Sequence, residues 1–270
     1  MENYGKYISS PQNPKIKQLL ELQAKSSARR KEGLFVVEGA REIGHCLEAG
    51  FEISSIFHCP SIMGRSAAAM ELDPSVVHSN CSFEVSEQVY NKLAYRESTE
   101  GIIAVFHQRN ISLENLKLND NPLIIVVESV EKPGNLGAIL RSADAAGADA
   151  LIVCDPLTDL YNPNLIRASI GAAFSVQSVC CSSEECIKYL KDKGIKIFTA
   201  QLQDSSLYYD SPMDGPCAIV MGTESTGLKD EFRKAADAHI RIPMLGKLDS
   251  LNVSVSAAIL LFEAVRQRNL

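Results

Sequence analysis

Short apolar runs separated by amphipathic stretches fill this chain, and their regularity changes near residue 110. Residues 14–31 (PKIKQLLELQAKSSARRK) place Ile16, Leu19, Leu20 and Leu22 on one side of a helix. LFVVEG follows as a strand, and AREIGHCLEAG as a helix that Gly50 ends. ISSIFHC reads as a second strand and 65–72 as a short helix. SFEVSEQVYNKLA holds a brief strand and a helix, and GIIAVFHQ is a last strand. This alternation predicts a small α/β/α domain over 1–108. The polar stretch 109–121 (RNISLENLKLNDN) reads as a linker to a second domain over 122–270.

Beyond the linker the pattern is more regular. LIIVVESV, ALIVCD, SVQSVC, KIFTAQL, CAIVMG and HIRIPM are near-continuous apolar runs. Helical stretches at 135–147, 163–173, 182–193, 228–237 and 252–268 separate most of them. Strands that are apolar on both faces and alternate with helices predict an α/β fold, with a parallel sheet covered on both sides.

Composition sharpens this picture in three places. Apolar residues at 46% and charged residues at 22% fit folded globular domains. The opening MENYGKYISSPQNPKIK has no apolar run suited to a secretory signal, and no stretch approaches the roughly 20 uncharged residues of a membrane helix. The expectation is a cytoplasmic protein with no membrane partner. The eight cysteines contain no C-x-x-C pair, and no histidine stands at zinc-finger spacing from them. They read as free, mostly buried thiols, and no metal is expected. A net charge of −6 speaks against a nucleic-acid partner for the chain as a whole. Yet residues 1–41 carry eight Lys or Arg against four acids, so this segment stands at +4 and the remainder at −10. Such a face can hold phosphates on an acidic protein, although a solvated helix face is the ordinary reading of such a run.

Ligands of open parallel sheets bind beyond the carboxyl ends of the strands. Three loops there concentrate glycine and small polar residues. EKPGNLGAILRSADAAG follows LIIVVESV, with Gly134 and Gly137 for a sharp turn and Asn135 as a helix N-cap. A helix begun there puts Arg141 opposite its most apolar side. G-x-G-x-x-G is absent, which argues against a nicotinamide-dependent oxidoreductase. MGTESTGL follows CAIV and offers Gly222 for close backbone approach, Glu224 as a carboxylate and Gly227 before the next helix. IPMLGKLDSLNVSVSAAILLFEA ends the series with Ser250 and Asn252 at a helix start, where Asn252 also reads as a plain N-cap.

In order and spacing, PGNLGAILR, GTESTG and IPM…SLNVSVSAA resemble the three motifs of the SpoU (TrmH-like) branch of the SPOUT RNA methyltransferases. The resemblance covers roughly 120–270. More loosely, through LFVVEGAREI, residues of about 30–107 resemble that family's substrate-binding domain, which is related to the L30e fold. The resemblance implies a C-terminal SPOUT domain with a deep trefoil knot, a homodimer, S-adenosylmethionine as cofactor and RNA as partner. Ribosomal RNA of the large subunit is favoured over transfer RNA. The implied reaction is methylation of a ribose 2′-hydroxyl. A catalytically weak RNA-binding protein is the alternative.

Residue roles carry over position by position. Arg141 is implied as the central catalytic residue. A guanidinium is a poor base, so binding the neighbouring phosphate and stabilising a developing alkoxide is its easier task. Asn135, Glu224, Ser250 and Asn252 match the polar positions that complete the catalytic set. Gly222, Ile242 and Leu251 stand where the family binds the adenosine portion, with Leu202, Thr223 and Met244 as neighbours. Arg29, Arg30, Lys31, Arg41 and Arg167 are the expected RNA contacts, and for Arg167 a structural ion pair is an equal reading. Many relatives carry Asp before the proline of the first motif, whereas Lys132 stands here.

Overall fold

The computed structural model describes residues 6–66, 69, 72–95, 100–223, 226–247 and 250–269. The chain divides into two units, Met1–Arg109 with Tyr161–Arg167, and Asn110–Leu160 with Ala168–Leu270.

In the first unit, β1 (Tyr7–Ile8), β2 (Leu34–Glu38), β3 (Ile53–His58), β4 (Ser82–Val85) and β5 (Ile102–His107) form one sheet. Its order is β1-β4-β3-β5-β2, with β5 antiparallel to β2 and β3 and the remaining pairs parallel. Ile16, Leu19 and Leu22 of the first helix pack with Val36, Phe57, Val89 and Val105 in its core. The short helix expected over 65–72 falls partly on residues outside those described, and helical turns flank it at Pro60–Met63 and Pro74–Val77.

The basic N-terminal segment departs from expectation. It forms two helices, Pro14–Ala24 and Ser26–Glu32, broken at Lys25, whose backbone is extended. A break leaves the last carbonyls of the first helix without intrahelical donors. Arg29 supplies them. It is only 2% exposed, and its Nη1 donates to Leu22 O at 2.6 Å and Gln23 O at 3.1 Å. Arg29 is therefore a structural residue and not the RNA contact expected of it. Arg29→Ala should lower the melting temperature of the protein by several degrees, since unsatisfied buried polar groups cost about 1–3 kcal/mol each. A thermal denaturation curve that coincides with the wild type would contradict this role.

The second unit holds β6 (Leu123–Glu128), β7 (Ala150–Cys154), β8 (Gln177–Cys181), β9 (Lys196–Ala200), β10 (Ser206–Leu207), β11 (Cys217–Met221) and β12 (Ala238–Arg241). They form a seven-stranded, all-parallel sheet in the order β10-β12-β9-β11-β6-β7-β8. The six apolar runs all become strands, and two-residue β10 is an addition from a polar stretch. Helices Ser183–Asp192 and Asp230–Ala235 contribute Cys186, Leu190 and Phe232 to a core with Ile124, Val126 and Ile152. Alternate strand residues, Ile125, Val127, Leu151 and Val153, are equally buried. Helices Pro133–Ala145 and Val253–Arg268 pack on each other, and the latter also on β6 and β11.

The polar stretch 109–121 is not a free linker, and from Asn110 onward it belongs to the second unit. Leu113 and Leu116 sit in the core of the second unit, and Gln177 clasps the backbone of Lys117 through both atoms of its amide. Its composition is polar, but the spacing of its leucines buries them.

The last helix is anchored at its far end. Arg268 donates to Asn121 O, Pro122 O and Gly215 O, and Arg266 chelates the buried Glu263 at 2.7 and 2.9 Å. The Arg266 guanidinium holds the Glu263 carboxyl below its ordinary value of 4.5. A carboxyl depressed by folding adds stability that is complete above its unfolded pKa and is lost as pH falls through the folded one. Glu263→Gln should therefore melt below the wild type near neutral pH, and the gap should close as pH falls below about 4.5. A gap that stays constant with pH would contradict the pairing.

Candidate active site

The parallel arrangement brings the carboxyl ends of β9, β11 and β12 to one edge of the second unit. There the loops after them, with the start of the last helix, enclose a cavity of about 430 Å³. This falls within the ~300–1,000 Å³ common for small-molecule sites. Leu202, Gly222, Thr223, Ile242, Met244 and Leu251, all six cofactor positions expected from sequence, line it. Ser250 lines it as well. Met221, Leu228, Ile240 and Leu260 add apolar wall, and Gln201, Gln203, Thr226 and Arg233 add polar groups.

The β11 loop owes its shape to two glycines. Thr223 and Gly227 pair as an isolated antiparallel bridge, with N–H to carbonyl distances of 3.2 and 3.1 Å. Gly227 takes the left-handed conformation at φ +70°, which glycine adopts without strain. A Cβ at Gly222 would lie 2.3 Å from Gly227 C and 2.5 Å from Leu228 N, so the loop can fold back only over a glycine. Thr223 Oγ1 also accepts from Thr226 N–H at 3.0 Å. Glu224, expected in the catalytic set, lies outside the described residues.

Asn135 and Asn252 come together across 117 residues of sequence: Asn252 Nδ2 donates to Asn135 Oδ1 at 3.2 Å. Asn252 Oδ1 meanwhile accepts from Ser254 N–H at 3.0 Å as the N-cap of the last helix. One amide thus serves both readings of this residue. Asn135 itself is not an N-cap. Its helix begins two residues earlier at Pro133, with Lys132 in the cap position, because proline is pre-formed for the first helical turn. Arg141 is exposed on that helix, away from buried Leu136, Leu140 and Ala143, and makes no hydrogen bond or ion pair among the described residues. Asn135, Arg141 and Asn252 do not line the cavity.

A group behind the loop was not legible in sequence. Glu128, 1% exposed at the end of β6, accepts from Ser183 Oγ at 2.7 Å and from Lys229 N–H at 2.8 Å. Lys229 Nζ reaches Asp155 at 2.7 Å, and Ser183 Oγ also lies 2.9 Å from Asp155. The Lys229 hydrogen bond lowers the Asp155 carboxyl, and Asp155 in turn raises the Lys229 ammonium. Lys229 directly follows the β11 loop, so this network fixes where that loop ends. An acidic residue closing an apolar strand was the only signal.

Cys154, Cys181 and Cys186 also converge, with their sulfurs within 4.8 Å of one another. Cys154 and Cys181 are register partners on β7 and β8, and Cys186 lies in the first turns of the following helix. Hydrogen bonds from Cys154 and Cys186 lower the Cys181 thiol. Cross-strand register creates this grouping, so no sequence spacing signals it. It does not by itself make a metal centre.

In the first unit, Arg30, Lys31 and Arg41 are exposed. Arg30 and Lys31 stand in the last turn of their helix, where cations also complement its dipole. Arg167 is exposed, bonds Asn164 Oδ1 at 3.3 Å and lies 5.4 Å over the Tyr95 ring. No ion pair of Arg167 occurs among the described residues.

Residues 122–262, more than half of the chain, match the model of the SpoU rRNA methylase family, and residues 13–104 match that of the MRM3-like substrate-binding domain. The 23S rRNA (guanosine(2553)-2′-O)-methyltransferase RlmP of Bacillus subtilis (strain 168) is 28% identical over 257 residues, 95% of this chain and 98% of its own. A 23S rRNA (guanosine-2′-O-)-methyltransferase RlmB of Vibrio parahaemolyticus is 35% identical over 68% of this chain and 77% of its own. The AdoMet-bound rRNA methyltransferase from Sinorhizobium meliloti superposes with a TM-score of 0.86 at 28% identity, over 97% of both chains. The SpoU methyltransferase AviRb of Streptomyces viridochromogenes, in complex with AdoMet, gives 0.85 at 26% identity over 96% of this chain and 99% of its own. The chain belongs to the SpoU rRNA methylase family.

Proposed function

We propose that the protein is an S-adenosylmethionine-dependent methyltransferase acting on a ribose 2′-hydroxyl of 23S ribosomal RNA. The observation that carries this reading is the cavity at the carboxyl ends of β9, β11 and β12, lined by all six expected cofactor residues. The relatives' names place the same reaction on the same class of RNA.

The cavity fits the cofactor. Its apolar wall suits a purine, and the Cβ-free Gly222 lets the loop close upon it. S-adenosylmethionine, when bound, supplies an electrophilic methyl group on a sulfonium. The protein's own task is then to hold the ribose oxygen in line and exclude water, and no metal is needed for that. Arg141 is exposed and makes no hydrogen bond or ion pair among the described residues, so its guanidinium is available to an RNA phosphate and to negative charge developing on the 2′-oxygen. The Asn135–Asn252 hydrogen bond locks the helix that carries Arg141 to the start of the last helix. Ser250 borders cavity and solvent alike and joins this set, with Glu224 as its carboxylate.

The trefoil knot belongs to the same reading. Its support is the strand order, in which β9 separates β11 from β12 while the loops of all three wall one cavity. A homodimer is supported by apolar exposure on the last helix: Val255 and Phe262, seven residues apart, are each 47% exposed. No helix among the described residues is long and apolar enough to cross a membrane, and a ribosomal RNA substrate supports a cytoplasmic location.

Incubation with unmodified ribosomal RNA and cofactor, followed by digestion to nucleosides and mass spectrometry, tests the reaction. A 2′-O-methyl nucleoside is expected, and methyl found only on a base would refute the reading. The first unit grips the RNA through Arg30, Lys31, Arg41 and Arg167. Reversing the charge of Arg30, Lys31 and Arg41 should weaken RNA binding several-fold and flatten its salt dependence, leaving the melting temperature unchanged. Binding with an unaltered salt slope would exclude this face.

A further inference from the structure

At the β8 edge of the large sheet, Cys154, Cys181 and Cys186 each exchange hydrogen bonds with the other two, and their sulfurs all lie within 4.8 Å of one another. Bonds of ~2.3 Å from one centre to three sulfurs bring the sulfurs to ~4 Å or less, so a small contraction closes the group. Such a centre takes the place of the thiol hydrogens and needs no cavity. Cys154 and Cys186 are fully buried, and half-buried Cys181 is the way in.

The donor set is three sulfurs alone: no carboxylate, imidazole or fourth thiol joins them among the described residues. Magnesium and calcium call for oxygen ligands, and a structural zinc calls for a fourth ligand. Charge narrows the choice further. The carboxylates of Glu185 and Asp155 are the charges felt at Cys181, and both are negative. Zinc on three thiolates would leave one further negative charge in this core, and copper(I) would leave two. A trivalent, three-coordinate centre leaves none. We propose that Cys154, Cys181 and Cys186 bind a trivalent thiophile of the arsenic(III) kind as a neutral tris-thiolate. Arsenous acid is uncharged in neutral water, so no ion has to be stripped of its hydration. Cys181 condenses with it first, and Cys154 and Cys186 follow within the same molecule. Three arsenic–oxygen bonds break, three arsenic–sulfur bonds form, and each thiol hydrogen leaves with a hydroxyl as water. No oxidation state changes. The product ties β7, β8 and the Ser183–Asp192 helix together.

Native mass spectrometry of the reduced full-length protein with arsenite tests this. The wild type should gain one arsenic and lose three hydrogens, and it should melt at a higher temperature once loaded. Cys154→Ser, Cys181→Ser and Cys186→Ser should each give at most an adduct that keeps a hydroxyl on arsenic. That adduct should be held at least about 10²-fold more weakly, because one intramolecular closure is missing. Cys180→Ser, which removes an exposed thiol outside the group, should behave as the wild type. A wild-type adduct that keeps a hydroxyl, or no adduct, overturns the assignment. So does zinc that displaces arsenic when the two are present in equal amounts. Where a variant does not fold, the mass of the wild-type adduct decides the matter by itself.

Discussion

Arg141→Ala should bind S-adenosylmethionine as the wild type does and transfer methyl at least about 10²-fold more slowly, the usual cost of removing a group that stabilises a developing oxyanion. The separation of the two effects follows from where the side chain stands. It projects from the outer face of the Pro133–Ala145 helix, while Leu136, Leu140 and Ala143 hold that helix to the sheet. It has no partner among the described residues, so truncation leaves none of their buried groups unsatisfied. It is absent from the cavity lining, so the cofactor should not register its loss. Arg141→Lys divides the residual question. A fork of donors binds phosphate and oxyanion together, which a single ammonium does not, so lysine should recover little. Single-turnover rates with saturating RNA would show the effect directly. A rate within a few-fold of the wild type would remove Arg141 from the chemistry.

Gly222→Ala should abolish measurable cofactor binding and lower the melting temperature. The added methyl would meet backbone, not a yielding side chain: Gly227 C at 2.3 Å, Gly227 O and Leu228 N at 2.5 Å. Relief requires opening the Thr223–Gly227 bridge, which carries with it Leu228, a member of the core of the second unit. Overpacking of this kind costs about 1–3 kcal/mol when side chains can adjust, and here the obstacle is the fold of the loop itself. Gly246→Ala is the control, since nothing lies within 4 Å of its Cβ position. Calorimetry on the pair should show binding retained in the second and lost in the first. Retention in both would mean that the loop closes in some other way.

What the sequence could and could not convey follows from the range of the interactions involved. The strands of the second unit were legible because burial on both faces writes itself as uninterrupted apolar runs. Part of the cavity was legible through the second and third motifs, which supply Gly222, Thr223, Ile242, Met244, Ser250 and Leu251, whereas the first motif lines none of it and the wall after β9 belongs to no motif. Arg29 was misread, since its charge argues for solvent and only the break at Lys25 explains why it turns inward to cap carbonyls. The stretch 109–121 reads as a linker for the related reason that composition conceals the few leucines that matter. Asn135 was placed at a helix cap by residue type, when Pro133 had already begun the helix. Glu128, Ser183, Asp155 and Lys229 meet only through tertiary structure, across as many as 101 residues, and no local pattern connects them.

The central claim, ribose methylation of ribosomal RNA through Arg141, is tested most directly by labelled methyl transfer. Tritiated S-adenosylmethionine, ribosomal RNA from cells lacking the enzyme, and the wild type beside Arg141→Ala make up the measurement. Label should enter the large-subunit RNA with the wild type, stay at background with the variant, and map to a 2′-oxygen. Label that persists undiminished in the variant, or that enters transfer RNA and not ribosomal RNA, would contradict the account.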